Sequence, residues 1–217
     1  STYWTHELYR GPHGEKVKVE YCCTKEHSER VAKKFLGKSV LGFDMEWMAP
    51  ILTRKRVRTL KDEISLIQLA SDDHIALFHI ARHHGDTADD LICDTLRHIL
   101  VNPNVIKTGV GCYRADATRL KSHFDIEARG LIELYNLQNV AFDFPSHDTR
   151  TSFPKSLADM VKLHLKLPLC KGDVRISSWI RPLTDAQVCY AAADAYAGLM
   201  LFRTLDKKRY DIKPVPP

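Results

Sequence analysis

The sequence has no run of 18 apolar residues, so it holds no ordinary membrane-spanning helix. It has no opening with the charged, apolar and small-residue zones of a secretory signal. It lacks an initiator Met and closes on "DIKPVPP", the expectation for a domain taken from a longer protein whose targeting segments lie elsewhere. The expected location is intracellular, and nuclear. Six cysteines (Cys22, Cys23, Cys93, Cys112, Cys170 and Cys189) are scattered without a CxxC pair. That spacing excludes both a disulfide scaffold and a structural zinc site, and the thiols read as free, buried and reduced. Eleven histidines also lack ligand spacing, and His83-His84 in "ARHHGD" reads as a loop. There is no internal repeat and no low-complexity linker. What remains is an ordinary soluble composition, 44% hydrophobic and 27% charged, enough for one domain over residues 1–217 with a substantial core.

Charge is in slight excess, at +5. The stretch "TRKRVRTLK" alone contributes Arg54, Lys55, Arg56, Arg58 and Lys61, as many charges as the whole surplus. The protein is therefore locally basic. Such a patch suits a polyanion such as a nucleic-acid backbone, although short basic runs are also common on solvated loops.

Along the chain, period-two patterns predict strands over 17–22, 40–48, 63–71, 74–80, 104–110 and 130–134. Asp72-Asp73 between the third and fourth predicts a hairpin. Helical spacing covers 25–36, 87–100, 115–124, 156–165 and 183–208, with Ser156 and Thr184 as N-caps and Gln187 completing a capping box. Segment 141–154 is the expected flexible loop, and residues 1–16 and 209–217 are expected to be peripheral arms. A hairpin followed by alternating strands and helices implies an α/β sheet of mixed direction. In such sheets ligands gather beyond the carboxyl ends of strands.

Within this frame several acids stand in unusual company. In "VLGFDMEWMAP", Asp44 and Glu46 sit two apart on an apolar strand, so both project from the same face. Held together away from water they would repel, unless a cation pairs with them. A hydrated strand end is the alternative. In "TGVGCYRAD", two glycines make a tight turn before Asp116, which suits either a site or simple helix-start chemistry. In "CYAAADAYAGLML", Tyr190 and Asp194 share a helix face among alanines that allow close approach. A plain Tyr–Asp hydrogen bond is the bland reading there. Together the four acids form a hard-oxygen set suited to Mg²⁺ or Mn²⁺. A pair of such ions can activate water and stabilise a leaving oxygen in phosphodiester cleavage, with Tyr190 positioned to act on that water.

The ordered motifs "FDMEW", "GVGCYRAD" and "YAAADAYAG", with "SLADMVKLHL" and "ISSWIRPLTDAQV" around them, resemble the DEDD exonucleases of the ribonuclease D-like subclass whose last motif carries Tyr. The resemblance covers roughly residues 38–206, the expected core of the domain. It implies an RNase H-like fold with a five-stranded mixed sheet flanked by helices. It implies 3′→5′ hydrolysis of single nucleotides from a polynucleotide end, expected to be DNA with RNA as a further substrate, and two divalent ions as cofactors. In the family pattern Asp44 is shared by both ions, Glu46 and Asp194 complete one site, Asp116 holds the second, and Tyr190 orients the water. The "RAD" turn is one residue longer than in the family member it most resembles, and the basic loop is longer too. An RNA-trimming exoribonuclease is the competing enzyme reading. A catalytically dead nucleic-acid platform is the competing non-enzyme, and it would be expected to have lost a ligand.

Overall fold

The computed structural model describes residues 2–53, 57–142, 155–170 and 173–211. Six strands make one sheet: β1 (Lys18–Cys22), β2 (Val40–Glu46), β3 (Leu66–Ala70), β4 (His74–Phe78), β5 (Ile106–Gly109) and β6 (Leu131–Glu133). Their spatial order is β1-β4-β3-β2-β5-β6. β3 runs antiparallel to β2 and β4, while β1–β4, β2–β5 and β5–β6 are parallel. The fold class is as expected, a mixed α/β sheet flanked by helices, but the strand count is six and not five. The residue patterns mark all six. At one edge β1 lies parallel to β4, with Lys18 opposite His74 and Cys22 opposite Phe78.

The helices are α1 (Lys25–Ala32), α2 (Pro50–Thr53), α3 (Leu60–Glu63), α4 (Ala88–Leu91), α5 (Asp94–Val101), α6 (Ala117–Phe124), α7 (Leu134–Ala141), α8 (Leu157–His164) and α9 (Asp185–Tyr210). The helix expected over 87–100 is broken in two, because Ile92 and Cys93 turn extended and drop their side chains into the core. The strand expected from residue 63 begins later, since Thr59 and Asp62 form a capping box that keeps 60–63 helical. α7 escapes the sequence pattern because its inward face carries Gln138, fully buried and bonded to His164 at 2.6 Å, beside Leu134, Leu137 and Ala141. Two caps are as expected. Ser156 Oγ accepts from Asp159 N, and Thr184 Oγ1 accepts from Gln187 N while Gln187 Oε1 accepts from Thr184 N. Each is worth about 1 kcal/mol.

One apolar layer lies between the sheet and α1, α5 and α6, and includes Leu41, Phe43 and Met45. The other lies under α7, α8 and α9, and includes Leu66, Ala70 and Leu77. The period of two along β2 sends Leu41, Phe43 and Met45 to the first layer, so Gly42, Asp44 and Glu46 face α9. Residues 1–16 are not a purely peripheral arm: Trp4 is 1% exposed and belongs to the α9 layer. The expected loop at 141–154 falls, from residue 143 on, outside the described residues, as do 212–217 of the expected C-terminal arm. No helix among the described residues is long and apolar enough to cross a membrane.

Candidate active site

The site is set by how closely α9 lies on β2. A Cβ on Gly42 would stand 2.0 Å from Ala195 O, and one on Gly198 would stand 2.9 Å from Thr108 O. Glycine on the strand and small residues on the helix therefore let the two backbones touch. That contact carries Asp194 to the carboxylates of β2. Ligand oxygens of Asp44, Glu46 and Asp194 all lie within 4.8 Å of one another. Glu46 and Asp194 are buried, Asp44 is half-buried, and Asp194 Oδ1 has no hydrogen-bond partner.

Asp116 arrives from the other side of β2. Gly111, two residues past the end of β5, sits at φ 81° in the left-handed region that glycine tolerates. A single π turn, Cys112–Asp116, then leads into α6. A π turn holds one residue more per hydrogen-bonded loop than an α turn. The "RAD" turn is thus locally widened, and Asp116 at its end is buried, 3% exposed, and feels the charge of Asp44. It is not within the tight three-acid set but acts electrostatically on Glu46 and feels Asp44.

The electrostatics express unpaired acids. Burial pushes Asp44 up to about 7. Glu46 is raised by burial and then by the charges of Asp44, Asp194 and Asp116, with Arg175 opposing. Asp194 is raised by burial and by Asp44, with Tyr190 opposing through a hydrogen bond. Asp116 is raised by burial, Asp44 and Glu133, with Arg119 opposing. Tyr190 is raised by burial and then by Asp194, Glu46 and Asp44, so its phenol stays protonated. An all-oxygen donor set, mutual repulsion and an orphaned buried carboxylate oxygen together fit a hard divalent cation.

The fit extends to the whole chain. The 3′-5′ exonuclease family profile matches residues 19–209. The chain belongs to the 3′-5′ exonuclease family. It is 32% identical over 181 residues to mouse bifunctional 3′-5′ exonuclease/ATP-dependent helicase WRN, covering 82% of this chain and 12% of that one. It is 30% identical over 171 residues to human exonuclease 3′-5′ domain-containing protein 2, covering 75% and 24% respectively. The chain thus spans less than a quarter of the length of these two relatives. The exonuclease domain of Nibbler from Aedes aegypti superposes with a TM-score of 0.72 at 22% identity, over 90% of both chains, which shows a shared fold.

The basic loop is less simple than its sequence. Arg54, Lys55 and Arg56 lie outside the described residues. Arg58 is engaged inside the protein: it pairs with Glu63 and donates to Met48 O and Asp62 O. Lys61 pairs with Asp86 at 3.7 Å. Glu63 also accepts from Arg119 Nη1 at 2.7 Å, and the Arg119 guanidinium lies 4.1 Å over the Trp47 ring. Glu63 therefore ties the base of this loop to α6.

Sequence reasoning missed three contributors. Arg175 is exposed and acts on Glu46, yet a single Arg in "GDVRISS" carries no pattern. Glu133 accepts from Gly111 N at 3.0 and 2.9 Å and so fixes the turn before Asp116, a link made only by β5–β6 pairing. Gln68, wholly buried and opposite Asp44 in register, would have needed strand register to be found. The thiols divide: Cys22, Cys93 and Cys112 are buried as expected, whereas Cys170 and Cys189 are exposed.

Proposed function

We propose that this protein removes nucleotides from the 3′ end of DNA by divalent-metal-dependent phosphodiester hydrolysis. The observation that carries this reading is the meeting of Asp44, Glu46 and Asp194 within 4.8 Å, in a chain of the 3′-5′ exonuclease family. Asp44 belongs to the tight acid set and is also the charge that acts most on Asp116, so it would serve both of two ions, Mg²⁺ or Mn²⁺. Glu46 and Asp194 would complete one site, and Asp116 the other. Bound there, the ions would make water acidic and offset the charge that builds on the phosphate.

The chain's own groups supply the rest. Tyr190 keeps its proton and can orient the attacking water by a hydrogen bond. Arg175 can hold the phosphate of the strand against the repulsion of the acids, which makes it a stronger candidate for backbone contact than Arg58 or Lys61. An intact set of four acids and Tyr190 argues against a dead binding platform.

Incubating 5′-labelled DNA and RNA, single-stranded and duplex, with Mg²⁺, Mn²⁺ or EDTA tests this directly. A ladder of DNA shortened from the 3′ end, abolished by EDTA, is expected. Trimming confined to RNA would move the assignment to an exoribonuclease. Cleavage that persists in EDTA would refute the metal chemistry.

A further inference from the structure

A cavity of about 250 Å³ opens next to the acid cluster along α9. Its α9 wall carries Ala186 and Ala193, and Tyr190 and Asp194 also line it. Positions 186, 190 and 193 fall on one helix face, and two alanines leave the space between them open. The opposite wall comes from residues ahead of the region matched by the family, Trp4 to Glu7, with Leu169 and Val174.

This N-terminal segment is anchored. Trp4 N donates to Pro168 O at 2.8 Å, and its indole Nε1 donates to Tyr9 Oη at 3.0 Å. The Trp4 ring stacks on Tyr196, two residues beyond Asp194, with centroids 6.3 Å apart at 30°. His6 in the cavity wall is 7% exposed, and its Nδ1 has no hydrogen-bond partner. Burial holds the imidazole below its ordinary 6.5, so it is neutral at neutral pH. A buried ring nitrogen without a partner is unfavourable until a ligand supplies one.

We propose that residues 4–7 complete a nucleobase pocket, in which the base of a nucleotide flanking the scissile phosphate sits against α9 and bonds His6 Nδ1 with its polar edge, the imidazole turning to bring that buried nitrogen into the cavity. The pocket rests on the exonuclease reading. Its size suits a base and part of its sugar. Its largely apolar walls suit a flat ring, and a single ring nitrogen suits a polar edge. Tyr190 and Asp194 put any occupant beside the phosphate chemistry. The segment would thereby act on which 3′ ends are accepted, through KM.

The test uses oligonucleotides whose bases are intact, or removed at either nucleotide flanking the terminal linkage. Ala186→Trp fills the cavity from an exposed position at the start of α9, and His6→Phe keeps a ring but removes the nitrogen. Both variants should raise KM on intact ends roughly 5- to 100-fold, the range for losing one base contact. On ends lacking the base at the affected position they should match wild type. Anisotropy of labelled oligonucleotides in EDTA should show the same weakening without turnover. Ala186→Trp, checked for an unchanged melting temperature, decides the matter if His6→Phe fails to fold. Variants that handle intact ends as wild type does would overturn the pocket and leave the exonuclease reading standing. Wild-type protein that shortens no polynucleotide would overturn both.

Discussion

Gly42→Ala is the smallest change that should disable this site from beneath. The added Cβ would lie 2.0 Å from Ala195 O, about 1.4 Å short of ordinary contact at 3.4 Å. The obstacle is helix backbone, so no side chain can swing aside. Either α9 lifts from β2 or β2 bends away, and both move Asp194 relative to Asp44 and Glu46. Overpacking of this kind is unfavourable by about 1–3 kcal/mol, and more where nothing yields. A misplacement near 1 Å lowers a rate by roughly 10²-fold.

Gly198→Ala is the internal control. Its Cβ would be 2.9 Å from Thr108 O, only about 0.5 Å short, so the same helix is pushed much less. Urea denaturation and single-turnover cleavage of labelled DNA should rank the proteins wild type, Gly198→Ala, Gly42→Ala in both stability and rate. Mn²⁺ titration by calorimetry should weaken in the same order. A Gly42→Ala protein with wild-type stability and rate would refute the claim that backbone contact between α9 and β2 sets the carboxylate spacing.

Three further outcomes follow from the charges and the phenol. Asp44→Asn should abolish cleavage, yet stabilise the metal-free protein. An acid raised from 3.8 to about 7 binds more protons folded than unfolded, so its penalty grows as pH rises through that window, to at most about 4 kcal/mol. A less stable Asp44→Asn at pH 7.5 in EDTA would contradict the burial penalty on the Asp44 carboxylate. Lys107 is fully buried, donates to Ile99 O and Asn102 O, and is lowered to about 8. Between pH 8 and its unfolded value of 10.5 the unfolded chain binds more protons, so Lys107 should add stability as pH rises, by up to about 3 kcal/mol. Lys107→Met, compared with wild type by denaturation across that range, should lose this increment; parallel curves would refute it. Tyr190→Phe should slow single-turnover cleavage roughly 10²–10⁴-fold while leaving Mn²⁺ affinity unchanged, because it removes a hydroxyl and no ligand; an unimpaired rate would reduce Tyr190 to a packing residue.

The legible parts of the fold were those written in local periodicity. β2 announces itself because Leu41, Phe43 and Met45 alternate with Gly42, Asp44 and Glu46, two of them acids. The start of α9 is marked by Thr184 and Gln187. α7 was not legible, since the stripe that buries it includes Gln138, and a buried amide is recognisable only once His164 of α8 is known to meet it. The break between α4 and α5 has the same origin. Ile92 and Cys93 satisfy a helical pattern locally, and only the packing of α5 against α1 makes the extended link preferable. Trp4 likewise has no periodic context, and its place in the core depends on a bridge to Leu169, far along the chain.

The acids were legible because each violates the pattern around it, and an expensive residue needs a reason. Cations carry no such mark, since Lys and Arg are acceptable on any solvated surface. Charge density therefore drew the eye to residues 54–61, where Arg58 in fact serves Glu63. Arg175, a lone cation beside a buried acid, passed unnoticed. Arg54, Lys55 and Arg56 lie outside the described residues, so a phosphate role for that loop stands as an expectation. Composition measures how much charge a segment holds, whereas binding depends on how much of it is left over after the protein's own carboxylates are satisfied. Arg58 has Glu63, and Lys61 has Asp86. Arg175 has no ion pair among the described residues, and it stands where the acids accumulate negative potential that a bound phosphate would otherwise have to face alone.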